Sequence, residues 1–387
     1  MGDNRVRMPQ QTPHFEQGPI RPPSEAHSLL VRVTRNCGWN RCAFCPVYKG
    51  ARFSLRTADE IEADVDAMAA AAGVMGETGV MEAIHQGLVP QEAYQVALFL
   101  RAGGRTVFLQ DADPMALKAE KLAEVVARVR ERFPQVERVT TYGRGATLAR
   151  RTSEQLRLVR EAGLTRVHVG LESGSDEVLE RMDKGCTAAQ YVEAGRHVLE
   201  AGLELCLYVM PGLGGRGRAA AAQHVAGTAD VVRRVAACGS RDNPLVVRLR
   251  TAAVAAGTPL AEAARDGRYT LPDDVEVAQE LRSLLVALGD ARLRLVSDHS
   301  LNLLPEIEGF LPDDRERLLA ILDEFLALPP RERAEFVLGR RLGIYYSLAS
   351  RRDPERSALF ASSLPHGRAL SEREMLDTAV ALRSRYI

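Results

Sequence analysis

The stretch that decides the architecture reads Leu29-Leu-Val-Arg-Val-Thr34-Arg-Asn-Cys37-Gly-Trp-Asn-Arg-Cys42-Ala-Phe-Cys45-Pro46. Its first half is a short apolar, β-branched run, predicted as a strand over 29–34. Its second half is a polar loop carrying three of the chain's six Cys within nine residues, spaced C-x4-C-x2-C. A loop at the C-terminal end of a strand is where α/β proteins gather their chemistry.

Working outward, six more runs predict strands, at 106–110, 136–142, 166–171, 203–210, 245–250 and 293–297. Most are apolar along their length, as parallel strands buried on both faces are. Amphipathic segments alternate with them near 57–72, 116–132, 152–163, 187–202, 218–238 and 274–290. Ser153 with Glu154, and Thr187, mark helix starts. Gly163 and Gly202 stand where a left-handed C-cap is wanted. The stretch 73–104 is long for a connection and is expected to hold a helix of its own. Repeated β-α units of this size give an α/β fold, a partial (β/α)6 TIM-type barrel of parallel strands over 29–300. Residues 1–28 read as an extended or disordered leader. Residues 301–387 read as a helical C-terminal extension, with helices at 313–328, 330–351 and 371–386 and no further strand.

Composition narrows the function classes. The 387 residues carry 51 Lys+Arg against 51 Asp+Glu, a formal net charge of zero, which disfavours a nucleic-acid partner held by a basic surface. Only four of the basic residues are Lys, at 49, 118, 121 and 184, so single Arg residues carry little signal. Residues 1–28 hold five Pro and no apolar core of a secretory signal, and no run of eighteen apolar residues predicts a membrane span. A cytoplasmic, reducing setting is the expectation. There, clustered Cys point to metal or redox chemistry rather than to disulfides.

Three thiolates on one loop suit an iron–sulfur cluster or zinc. A structural zinc site normally takes four protein ligands, and the next Cys, Cys186, is 141 residues further on. A plant-type 2Fe–2S centre uses the same spacing but also needs a fourth Cys. A 4Fe–4S cluster held by Cys37, Cys42 and Cys45, with one iron open, is the remaining reading. A separate signal, Gly212-Leu-Gly-Gly-Arg-Gly217, matches the dinucleotide fingerprint after a strand and suggests a nicotinamide or flavin oxidoreductase. Its expected acid is poorly placed, because Asp230 falls inside a helical stretch.

The Cys loop, with Phe44 just before the last Cys, resembles that of the radical SAM superfamily, with one extra residue in the first gap. Three further stretches are similar to motifs of that family. Gln110-Asp111-Ala-Asp113-Pro114 stands where the family has Gly-Gly-Glu-Pro. His168-Val-Gly-Leu-Glu172-Ser173-Gly-Ser resembles the motif ending the fourth strand. Met210-Pro211-Gly212-Leu-Gly-Gly resembles the motif after the fifth. The resemblance spans about 29–260. The 36–50 loop and Ser297-Asp-His-Ser-Leu-Asn302 look like a poorly characterised bacterial and archaeal group of the superfamily.

The resemblance implies a 4Fe–4S cluster on Cys37, Cys42 and Cys45, with S-adenosylmethionine (SAM) as second cofactor. SAM would be contacted by Phe44, Asp111, Asp113, Tyr142, Arg144, Glu172, Ser173, Pro211 and Gly212. It implies reductive cleavage of SAM to a 5′-deoxyadenosyl radical that abstracts hydrogen from an unknown substrate. A ferredoxin or flavodoxin would donate the electron to the cluster, and the substrate would be a small molecule. Strand-end residues Arg250 and His299 are the substrate-side catalytic candidates, with Asp298 and Asn302 beside them. The alternative of another class is a non-catalytic iron–sulfur or zinc binding or electron-transfer protein.

Overall fold

A computed structural model describes residues 13–364 and 370–386. The strands are β1 (Leu29–Arg32), β2 (Thr34–Arg35), β3 (Ser54–Leu55), β4 (Thr106–Gln110), β5 (Arg138–Tyr142), β6 (Leu164–Glu172), β7 (Glu204–Val209), β8 (Leu245–Leu249), β9 (Leu293–Val296) and β10 (Gly309–Leu311). Eight of them form one sheet in the order β1-β4-β5-β6-β7-β8-β9-β10. From β1 to β9 every pairing is parallel, and helices cross between successive strands. The sheet has two free ends, so it is a partial TIM-type barrel.

The seven predicted runs are the seven parallel strands of this sheet, and one detail differs from the expectation. An eighth, β10, runs antiparallel against β9 inside the region read as purely helical. A three-residue edge strand leaves no periodicity for a sequence pattern to reveal, and Pro312 ends it at once. The stretch 73–104 holds the helices Val80–His85 and Tyr94–Arg101.

Both faces of the parallel strands are buried, but not alike. Leu29, Val31, Val107, Leu109, Val167, Val169, Leu205, Leu207, Val247 and Leu295 pack in one large apolar cluster with residues of the surrounding helices. The alternate positions, one residue along and so on the other face, include Phe108, Tyr142, His168, Cys206, Tyr208 and Arg248. The inner face is therefore aromatic and polar where the outer face is aliphatic. Helix starts are fixed by capping boxes at Thr57, Thr152, Thr187, Asp273 and Ser371. The second of these is Thr152, one residue before the expected Ser153. Gly163 and Gly202 have φ of 118° and 77°, the left-handed backbone that glycine accepts at a helix end.

Residues 13–28 are packed, in contrast to a free leader. The Gln110 side-chain amide accepts from Gly18 N–H at 2.9 Å and donates to the Ile20 carbonyl at 2.7 Å. Phe15 is buried, and Glu25 is buried against Arg138 at 3.0 Å. This segment thus runs from the C-terminal end of β4 back to its N-terminal end, where Ser28 meets Thr106 at 2.7 Å. Residues 1–12 of the predicted leader lie outside the described residues.

Candidate functional site

The Cys loop is the connection between β2 and β3, which pair antiparallel and close its base. Inside the loop, Asn36 and Asn40 take φ of 66° and 49°, a conformation that Asn tolerates better than most residues. The Asn40 amide donates to the carbonyls of Tyr48 and Ala51. Lys49 Nζ donates to the carbonyls of Asn40 (3.2 Å) and Cys42 (3.0 Å). Trp39 reaches across the mouth and donates to the Asp183 carbonyl at 2.6 Å. A Cβ on Gly185 would meet the Trp39 ring at 2.4 Å, so only glycine lets the two loops close. The loop is held by side chains of its own sequence and is fastened to the segment after β6.

The loop lies over a cavity of about 590 Å³ lined from the C-terminal ends of the strands. Cys37, Cys42, Cys45 and Phe44 form part of its wall, with Tyr142, Arg144, Glu172, Arg250 and His299 from the strand ends. Pro19, Ile20, Arg21, Pro22 and Pro23 supply another part of the wall. The three thiols are free and partly accessible. Burial pushes the Cys42 thiol up, and the Lys184 ammonium only partly opposes it. Among the described residues, no three His, Cys, Asp or Glu side chains are arranged to hold a single metal ion.

Glu172 ends β6 at φ 62° and pairs with Lys184 Nζ at 3.0 Å. Burial disfavours the Lys184 cation, but Glu172 together with Tyr191 and Cys42 outweighs it, so the ammonium is held above its ordinary pKa. A Cβ on Gly170 would come within 2.2 Å of Glu172 Oε1, so the missing side chain makes room for this pair. The Lys184 ammonium also stands 5.4 Å from the centre of the Phe44 ring. Arg144 packs over the other side of the mouth, 5.2 Å from the Trp39 ring.

Five residues expected to contact SAM do not line the cavity. Asp111 is wholly buried, accepting from Arg32 at 2.8 and 3.1 Å, from Asn36 N–H at 3.2 Å and from the Tyr48 hydroxyl. It organises the Cys loop from below, and its neighbour Ala112 faces the cavity. Asp113 accepts from Arg144 N–H (3.0 Å) and Thr147 Oγ1 (2.6 Å), and burial pushes its carboxyl up. Ser173 is buried against His224 Nδ1 at 2.8 Å. Pro211 and Gly212 are covered. Gly212 N–H donates to Glu280 at 2.7 Å and its carbonyl accepts from the Tyr269 hydroxyl at 3.0 Å. Arg216 N–H is likewise taken, by the Thr270 carbonyl at 2.8 Å. The loop thus engages internally the amides that a dinucleotide phosphate would need. Of the further strand-end candidates, Asn302 braces Thr251 N–H and the Leu249 carbonyl, each at 2.9 Å. Asp298 lies 3.5 Å from Arg248.

Lys184, Cys186, Tyr191, His168 and Tyr208 also line the cavity and are not among the expected site residues. Lys184 did have a signal, being one of four Lys among 51 basic residues. His168 is fully buried between Tyr208 (Nδ1 to hydroxyl, 3.4 Å) and Glu25 (3.7 Å), and burial pushes it down to about 4. It is a neutral part of the cavity floor.

The fold and site together define an α/β partial barrel with three free thiols gathered over its strand ends. Residues 84–225 match the family described as Radical SAM superfamily, whose members are enzymes that use a 4Fe–4S cluster and SAM. The matched segment covers β4 to β7 and does not include the Cys loop. Among solved structures, the chain is similar to the cobalamin-dependent S-adenosylmethionine radical enzyme OxsB, at 14% identity over 92% of this chain and 53% of that one, TM-score 0.43. It is also similar to methylornithine synthase PylB, at 17% identity over 77% of this chain and 81% of that one, TM-score 0.41. A third is the radical S-adenosylmethionine methyltransferase TsrM from Kitasatospora setae, at 14% identity over 92% and 66%, TM-score 0.44. The chain spans about half the length of OxsB. No curated protein matches it.

Proposed function

We propose that this chain binds a 4Fe–4S cluster through Cys37, Cys42 and Cys45 and cleaves SAM reductively to act on a small molecule in the barrel cavity. The observation that carries this reading is the placement of three free thiols on one clamped loop over the cavity at the strand ends. Three thiols on one loop leave one iron of a 4Fe–4S cluster open, whereas a structural zinc site normally takes four protein ligands, so the donor set suits the cluster better than zinc. When bound, the cluster and SAM supply a one-electron cleavage that yields a 5′-deoxyadenosyl radical.

The protein's own residues bind, orient and exclude water. Lys184 and Glu172, fixed on each other, offer one cation and one carboxylate to the zwitterionic end of SAM. Phe44 and Met210 supply apolar wall. Arg144, stacked on Trp39, adds a second cation near the Cys loop. The paired prolines Pro22 and Pro23, with Ile20, keep solvent from the flank of the cavity. Asp111 acts through the loop it anchors. The electron would come from a ferredoxin or flavodoxin. No helix among the described residues is long and apolar enough to cross a membrane, and we place the reaction in the cytoplasm.

Anaerobic reconstitution tests the reading. The wild-type chain should take about four iron atoms and form 5′-deoxyadenosine when reduced with SAM. Cys42→Ala should lose both. A cluster that forms but neither binds nor cleaves SAM would leave an electron-transfer protein instead.

A further inference from the structure

The chain is electrically neutral as a whole, but its cavity is not. Four cationic side chains line it (Arg21, Arg144, Lys184 and Arg250) against one carboxylate, Glu172. Glu172 is already engaged by Lys184. Arg144 belongs to the Cys-loop side through Trp39. That leaves a second positive region on the far side, built from β8 and the segment after β9. These strands lie several places along the sheet from β1, which leads into the thiols, and beyond β6, which carries Glu172.

Arg250 follows directly on β8 and enters the cavity wall with no hydrogen-bonding or ion-pair partner for its guanidinium among the described residues. Two residues back on the same face, Arg248 is more than nine-tenths buried, and its Nε and Nη1 have no hydrogen-bond partner. Its nearest carboxylate, Asp298, is 3.5 Å from Nε, too far to satisfy it well, and its guanidinium lies over the Tyr208 ring. His299 completes the group. Its Nδ1 accepts from Leu301 N–H at 3.1 Å, so its ring proton sits on Nε2. Burial, with Arg250 and Arg248 close by, pushes His299 down to about 4, so the ring is a neutral donor rather than a third cation. A buried guanidinium with one loose ion pair and two unpartnered nitrogens, beside a second, half-buried one with no partner, is costly, and a site of this kind normally receives an anion.

We infer that the β8–β9 side of the cavity is the substrate subsite, and that Arg250 and His299 there grip an oxyanion, a phosphate or carboxylate carried by the substrate, over the positive field of Arg248. The inference rests on the radical SAM reading only in assigning the Glu172–Lys184 side to SAM. Arg250 supplies paired N–H donors that match either anion, and His299 adds one more. This grip would set which carbon of the substrate stands toward the Cys-loop side.

The test is calorimetric titration of the reconstituted, SAM-saturated chain with inorganic phosphate and, separately, with malonate. At least one should bind in the micromolar to low millimolar range, and the tighter one tells phosphate ester from carboxylate. Arg250→Gln and His299→Phe should each weaken that binding about tenfold or more, the size of one charge-assisted contact. The surface variant Arg294→Gln should leave it unchanged. Matching thermal melts for the variants would show that they fold. The proposal is overturned if neither anion binds, if the anion displaces SAM, or if both variants bind like wild type. Iron content and SAM cleavage are measured on the same preparation. A chain that holds no cluster but still binds the anion through Arg250 keeps the subsite and loses the radical SAM reading.

Discussion

Lys184 is a small decision with a large effect. In a chain that uses Arg for 47 of its 51 basic positions (51 less four Lys), a Lys beside a buried carboxylate is a choice of shape. A compact ammonium fits between Glu172, the Phe44 ring and the space left by Gly170, where a guanidinium fork would not. Lys184→Met removes the cation and leaves Glu172 mostly buried without a counter-charge. We expect SAM binding to weaken about tenfold or more in equilibrium titration, with a stability loss on the order of 2 kcal/mol in chemical unfolding. Lys184→Arg should not restore binding. The three Cys were legible because their spacing is carried by one short segment. Lys184 and Tyr191 come to the wall through the bulge at the end of β6 and the helix Ala188–Glu200, a path no spacing encodes. Asp111 is the opposite case. Its neighbours in sequence suggested a ligand contact, but three donors from the Cys loop and one strand use up its oxygens.

At the scale of elements, sequence pattern and structure agree where local chemistry decides. The run 106–110 is β4 to the residue, and the helix starts follow their caps. Thr152 and Thr187 each accept from the backbone N–H three residues on, while Gln155 and Gln190 reach back. Thr187→Ala removes the N-cap of the helix that carries Tyr191, whose hydroxyl donates to the Gly170 carbonyl at 2.8 Å. We expect a loss of about 1 kcal/mol in urea unfolding with an unchanged m-value. What the pattern could not show is the difference between the two faces of the sheet. Burial on both sides makes most strands look apolar along their length, and the inward positions give themselves away only once register pairs Tyr208 with Arg248 and Tyr142 with His168.

For the molecule as a whole, the C-terminal helices do more than extend the barrel. Arg383, wholly buried, donates to the Pro272 carbonyl at 2.9 Å and pairs with Asp274 at 2.8 Å, and Arg341 from another helix pairs with the same carboxylate. Burial opposes the Asp274 charge, but the two guanidinium groups outweigh it and hold the carboxyl below its ordinary range. Such a contact between residues 109 positions apart (383 less 274) is invisible to any local pattern. Glu280 behaves oppositely. Burial pushes it up to about 7, with the Gly212 N–H favouring its charge and the neutral His224 ring 3.6 Å away. A carboxyl raised on folding binds its proton more readily in the folded chain. Its contribution is therefore present below the ordinary value of 4.5 and is lost as pH rises through about 7. Glu280→Gln keeps an acceptor for Gly212 without the charge. Its melting temperature should exceed that of wild type at about pH 8 by a few degrees and match it near pH 5, as followed by circular dichroism.

The scarcity of lysine also has a practical side. An acylating reagent meets side-chain amines at four positions only, two of them, Lys118 and Lys121, exposed at the start of the helix Ala119–Arg132. Lys49 and Lys184 are half-buried within the Cys loop and its neighbour. Covalent footprinting read by mass spectrometry would then resolve into two outer reference signals and two inner ones. The state of the cavity could be followed in a crude mixture from the acylation of a single peptide.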